Sequence, residues 1–147
     1  MCIVRGMTTE DIHAVALIEK ECFGEPWSEA QLQESLGKDY ARFLVAVDDG
    51  EVVGYVGAYI LGEDVDITNV AVTSSSRGRG VAYSLMSSVM RVAREEGSTI
   101  VRLECRVSNT PARALYDKLG FESVGVRPRF YQDLEDAIMY EKHLQEV

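Results

Sequence analysis

Arg77-Gly78-Arg79-Gly80-Val81-Ala82 is the stretch whose reading decides the fold. An apolar run over residues 66–72 precedes it, and a strongly periodic one over residues 82–97 follows. In the second run Ala82, Leu85, Met86, Val89, Met90 and Ala93 recur at i, i+3, i+4, i+7, i+8 and i+11, which predicts one amphipathic helix closed by Gly97. A strand, a turn rich in glycine and arginine, then a helix: that order builds an anion site. The first-turn N–H groups have no partner inside the helix, and the helix dipole draws negative charge to that end. Gly78 and Gly80 let an anion approach the backbone, while Arg77 and Arg79 supply charge and a fork for phosphate oxygens. The spacing gives neither a P-loop nor a dinucleotide fingerprint. On local sequence alone, a tight turn with solvated arginines is the alternative.

Upstream of this stretch the pattern is β. Residues 43–48, an Asp49-Gly50 turn and residues 52–61 predict an antiparallel hairpin, and residues 65–72 extend it to a three-strand meander. Earlier still, a short strand at residues 3–5 leads to a helix from Thr8-Thr9-Glu10-Asp11 to about Phe23, and Ser28 caps a second helix that stops at Gly37. Downstream, residues 99–107 alternate, with Val101, Leu103, Cys105 and Val107 on one face and Arg102, Glu104 and Arg106 on the other. Asn109, Thr110 and Pro111 open a helix that ends at Gly120, and strands are expected at residues 121–126 and 137–144. The strand-helix-strand unit over residues 66–107 requires a parallel, neighbouring pair in an otherwise antiparallel sheet.

A chain of 147 residues, 46% hydrophobic and 27% charged, is expected to form a single domain over residues 1–147. The formal net charge of −9 argues against general nucleic-acid binding, so an anionic ligand has to be met by a local basic cluster. Cys2, Cys22 and Cys105, with His13 and His143 far apart, suggest neither a disulfide framework nor a metal site. With no signal-like or membrane-spanning run, the expectation is a cytoplasmic protein.

Arg77 to Ala82 matches Gln/Arg-x-x-Gly-x-Gly/Ala, the phosphate-binding signature of the GNAT superfamily of acetyl-CoA-dependent N-acetyltransferases. Leu103-Glu104-x-Arg106-x-Ser108-Asn109, Leu115-Tyr116, Gly120-Phe121, Tyr131, Glu135-Asp136-Ala137-x-Met139 and Pro26-Trp27-Ser28 together resemble the ribosomal-protein alanine N-acetyltransferases and their relatives. The resemblance implies an α/β (α+β) GNAT fold: a mixed, mostly antiparallel sheet flanked by helices, with a central parallel strand pair splayed for acetyl-CoA. It implies that the backbone of Val70, Ala71 and Val72 pairs the pantetheine arm, that Arg77, Gly78, Arg79, Gly80, Val81 and Ala82 hold the pyrophosphate, and that Asn109 contacts the pantetheine region. An N-cap for the following helix is a sufficient structural reason for Asn109 as well.

By the same resemblance Glu104 is the general base and Tyr116 the general acid. Moving acetyl from a thioester to an amine needs a deprotonated amine, a polarised carbonyl and a proton for the departing thiolate. The resemblance leaves the carbonyl to a main-chain N–H near Val72. For Glu104 the alternative is an ion pair with Arg102 or Arg106, and for Tyr116 a place in the buried stripe beside Leu115 and Leu119. Pro26, Trp27, Glu29 and Tyr131 are candidates for gripping a protein N-terminus, with a helix break for Pro26 and core packing for Trp27 as the alternatives. Two departures from the family fall in this wall: Phe130-Tyr131 replaces a common tyrosine pair, and the linker to Glu135-Asp136 is short. The expected partner is a protein N-terminus or peptide, a ribosomal protein among the candidates. The rival readings are a small-amine acetyltransferase and a coenzyme-A-binding module without turnover.

Overall fold

The computed structural model describes residues 2–144. Seven strands form one sheet in the order β1-β2-β3-β4-β5-β7-β6, where β1 is Cys2–Gly6, β2 Ala41–Asp48, β3 Glu51–Leu61, β4 Asp64–Val72, β5 Ile100–Arg106, β6 Glu122–Arg127 and β7 Ala137–His143. The helices are α1 Ile12–Cys22, α2 Glu29–Leu36, α3 Val81–Glu95 and α4 Thr110–Lys118. The mixed, mostly antiparallel sheet with one parallel pair, β4 with β5, is the expected arrangement. No helix among the described residues is long and apolar enough to cross a membrane.

Local chemistry sets the element ends. Asp49 and Gly50, at φ of 54° and 82°, make the β2–β3 turn. Ser28 and Gln31 form a reciprocal capping box that starts α2, and Gly97, at φ of 93°, follows the end of α3. The helix expected from Thr9 instead opens with a short 3-10 turn, Thr9–Asp11, because Asp11 turns back to accept the Thr8 N–H at 2.8 Å and pairs with Arg5 at 2.8 Å. The residues expected to extend the last strand to 144 stop short, with Leu144 donating its N–H to Thr99 O beyond the strand.

Two apolar layers sandwich the sheet. On one face Ile12, Val15 and Ile18 of α1 and Leu32 of α2 pack on Phe43, Val45, Tyr55 and Ala71. On the other, Leu85, Met86, Val89 and Ala93 of α3 pack on Val56, Ala58, Val65 and Val101. Each fully buried aliphatic side chain of this kind contributes about 1.5–3 kcal/mol. The α3 stripe is buried as its spacing predicts, except that Ala82, near the helix start, is only partly buried.

One of three register shifts among the described residues of the sheet lies just past the point where β4 stops pairing with β5. Gly57 pairs with Asn69 but Ala58 pairs with Ile67, so Thr68 is an extra residue in β4, a bulge. Gly57 permits it: a Cβ there would collide with Thr68 Oγ1 and lie 2.8 Å from the Phe43 ring. β4 then pairs with β5 only from Asp64 to Asp66, opposite Ile100 to Arg102. Past that point the two strands separate.

Candidate active site

Where β4 and β5 part, a cleft of about 900 Å³ opens. Its walls come from the segments the sequence singled out: β4, the turn into α3, β5, the start and inner face of α4, and the α1–α2 loop. Because β5 pairs β4 only as far as Asp66, the edge of β4 over residues 67–72 that faces the cleft carries main-chain groups that no strand satisfies from that side. Val70, Ala71 and Val72 all line the cleft. So does Thr68, whose Oγ1 is buried with no protein partner among the described residues.

At one end of the cleft Gly78 and Gly80 adopt φ of 79° and 78°, a left-handed conformation in which a side chain would be strained. Gly80 caps α3 without a side-chain hydrogen bond, so the first N–H groups of a fifteen-residue helix are left for a ligand. Arg77 lines this end and is braced there: its guanidinium donates to Val72 O at 3.2 Å and to Cys22 Sγ at 3.2 Å. Val81 and Ala82 line the cleft as well. Arg79 does not. Two-thirds exposed, it lies 3.9 Å from Asp48 on β2, outside the cleft lining.

Glu104 and Tyr116 face the same cleft from β5 and α4. The alternative reading of Glu104, an ion pair with Arg102 or Arg106, is absent among the described residues. Side chains two apart on a strand stand about 6–7 Å from one another, and carboxylates on β4, on β7 and in the β6–β7 connection are nearer. Arg102 pairs with Asp64 and Glu141, each at 3.0 Å, and Arg106 with Asp133 at 2.7 Å and Glu135 at 3.1 Å. Glu104 instead meets Arg127, at the end of β6, at 3.3 Å.

Tyr116 combines both readings of its position. Its ring is buried against Phe121 and Tyr140, with centroids 5.8 and 5.6 Å away, yet it lines the cleft. Its hydroxyl has no protein hydrogen-bond partner among the described residues. Burial pushes the phenol pKa well above its ordinary value, so the group stays protonated at neutral pH. Asn109 caps α4, its side chain accepting the Ala112 N–H at 3.2 Å, and also lines the cleft.

The acceptor side is divided. Trp27 and Tyr131 line the cleft, Tyr131 beneath the Arg106 guanidinium at 4.1 Å with its phenol pushed up to about 12, chiefly by burial. Pro26 and Glu29 do not; Glu29 faces His13 at 3.1 Å on the outside of the helix pair. Phe130 packs edge-on against Tyr131, with centroids 5.0 Å apart, and is itself exposed. The acidic residues after it fold inward: Asp133 and Glu135 clamp Arg106, and Glu135 accepts the Ser108 N–H at 2.8 Å.

Sequence reasoning missed Glu25, Asn69, Cys22 and Arg106, all of which line the cleft, and a buried carboxylate behind it, Glu19. A signal for Glu19 was present, since it stands four residues after Val15 and seven after Ile12, on the apolar stripe of α1. Burial pushes its carboxyl pKa up, against the pull of the donors around it. A raised native pKa adds stability that is full below the ordinary glutamate value and lost as pH rises through the native one. Relative to wild type, Glu19→Gln is therefore expected to gain in urea midpoint on going from about pH 4 to about pH 8. A difference independent of pH would contradict this.

Residues 12–121 match the family described as the acetyltransferase (GNAT) family. A Bacillus subtilis protein provisionally named ribosomal protein bS18-alanine N-acetyltransferase is 38% identical over 138 residues, covering 92% of this chain and 91% of that one. The Escherichia coli ribosomal protein bS18-alanine N-acetyltransferase is 27% identical over 142 residues, 95% of each. The crystal structure of the ribosomal-protein-S18-alanine N-acetyltransferase from Escherichia coli superposes on the fold with a TM-score of 0.92, over 100% of this chain and 96% of that one, at 24% identity.

Proposed function

The chain belongs to the GNAT acetyltransferase family and is an N-acetyltransferase, and from that premise we propose that it acetylates the N-terminal α-amino group of a protein, a ribosomal protein among the candidates, in the cytoplasm. The observation that carries this reading is that Glu104 and Tyr116 converge on one cleft that also holds the glycine-lined start of α3 and the aromatic wall of Trp27 and Tyr131. Acetyl-CoA supplies the activated acetyl group as a thioester.

The residues present fit that donor. The left-handed glycines and free N–H groups at the start of α3, with the braced Arg77, suit a pyrophosphate; the unpaired edge of β4 suits an extended arm carrying amides. Val70, Ala71 and Val72 would hold the arm, Arg77, Gly78, Gly80, Val81 and Ala82 the phosphates, and Asn109 the arm's far side. Glu104 takes the proton from the acceptor ammonium, directly or through water, and Arg127 keeps the carboxylate oriented until the cationic acceptor competes for it. Tyr116 holds the proton that the departing sulfur needs. Trp27 and Tyr131 flank the acceptor.

Arg77→Ala is expected to weaken acetyl-CoA binding about 10- to 100-fold by loss of a charge-assisted contact, with a larger loss at low salt. Arg79→Ala, which alters a group outside the cleft, costs less. Calorimetry at two salt concentrations checks both, and equal losses would contradict the assignment. The acceptor is tested by mass spectrometry after incubating acetyl-CoA with peptides beginning Ala, Ser and Met, an N-blocked lysine peptide and spermidine. Modification of free N-termini supports the proposal, whereas acetylation of spermidine alone would replace it with the small-amine reading.

A further inference from the structure

Glu19 is 0% exposed, and three donors converge on its carboxylate. Oε1 accepts the main-chain N–H of Trp27 at 2.8 Å. Oε2 accepts the Tyr55 hydroxyl at 2.6 Å and the Asn69 side-chain amide at 3.2 Å. It has no ion-pair partner among the described residues. A buried carboxylate without a cation is costly, and a leucine would complete the apolar stripe of α1 without that cost. What the carboxylate does that leucine cannot is hold these three groups together.

Two of the three belong to the cleft: Asn69 lines it from β4 and Trp27 from the α1–α2 loop. Among the described residues the Trp27–Glu19 bond is the one hydrogen bond between residues 24–27 and the rest of the fold. Ring packing of Trp27 on Phe43, with centroids 6.3 Å apart, adds contact but little directional restraint. Without the bond this loop would rest on apolar contact alone.

We propose that Glu19 is a positioning residue of the acceptor subsite, fixing the α1–α2 loop through Trp27 against Asn69 of β4 and so setting the wall on which the first residues of the acceptor pack. The inference rests on the peptide-acceptor reading above for its kinetic consequence, and on the hydrogen bonds alone for the anchoring.

Trp27 is the sole tryptophan, so its emission reports on the loop directly. In Glu19→Ala, with unchanged far-UV circular dichroism, acrylamide quenching of Trp27 is expected to rise about twofold or more as the loop opens locally. Glu19→Gln keeps one oxygen for the Trp27 N–H and can donate its amide to the Tyr55 oxygen, so it restores most of the protection. In initial rates with acetyl-CoA and an Ala-initiated peptide, Glu19→Ala raises the peptide KM about five- to tenfold while the acetyl-CoA KM moves by less than about twofold. Should Glu19→Ala fail to fold, Tyr55→Phe, which removes one donor and leaves the bond to Trp27, gives the same changes at smaller size. Unchanged quenching in Glu19→Ala, or in Tyr55→Phe where that variant stands in for it, would overturn the proposal, as would equal rises in both KM values or failure of Glu19→Gln to rescue. If the wild type acetylates no peptide, the peptide reading falls on that result, and the quenching comparison still decides whether Glu19 anchors the loop.

Discussion

Tyr116→Phe is expected to lower turnover by about 10²-fold or more while leaving the affinity for acetyl-CoA within about twofold of wild type. The substitution removes one hydroxyl and keeps the ring, so the contacts with Phe121 and Tyr140 that hold α4 in place survive. The hydroxyl makes no hydrogen bond within the described protein, so its loss leaves no partner stranded and costs little stability. What disappears is a proton held in the cleft. Burial raises the phenol pKa, which keeps that proton in place at neutral pH; the same apolar surroundings raise the proton affinity of a thiolate formed beside it. Initial rates paired with calorimetry measure the two quantities separately. Unchanged turnover would remove Tyr116 from the chemistry and return it to the core.

Gly57→Val should cost about 2–3 kcal/mol of stability, at the upper end of overpacking effects, and weaken acetyl-CoA binding in the protein that still folds. The new Cβ would run into Thr68 Oγ1 and the Phe43 ring, which stands 2.8 Å away. Phe43 is 4% exposed among Trp27, Tyr55 and Tyr59 and has little room to yield. Relief would have to come from the Thr68 bulge, and that bulge lies where β4 leaves β5. Urea unfolding reads the first effect and calorimetry the second. A destabilised variant with wild-type affinity would separate the bulge from the cleft and contradict the role given to it here.

The sequence carried the periodic parts of this molecule well, for a physical reason. The α3 stripe, the alternation of β5 and the Asp49-Gly50 turn are local patterns, and their burial or backbone angles follow from spacing and residue type. The parallel β4–β5 pair followed from chain connectivity. The insertion of β7 between β5 and β6 did not, because strand order depends on which edge each strand finds. The bulge at Thr68 was equally hidden, because the pairing of Gly57 with Asn69, twelve positions away, is set by register.

The site divides in the same way. The turn from Arg77 to Ala82 is contiguous and could be read from sequence, apart from which of its two arginines enters the cleft. Partners brought together from distant segments could not be read. Glu104 meets Arg127 rather than its strand neighbours, and Glu19 gathers donors from a loop and two strands. Carboxylates choose partners by distance in space, and i±2 spacing along a strand is a poor guide to that.

The most direct test of the account is to measure coenzyme A thiol release from acetyl-CoA in the presence of a peptide with a free N-terminal alanine and no lysine, and to quantify the acetylated peptide in the same reaction. Equal amounts of free thiol and α-N-acetyl peptide are expected, with both strongly reduced in Tyr116→Phe. Acetyl-CoA binding without thiol release, or release only when a lysine side chain or spermidine is supplied, would contradict it.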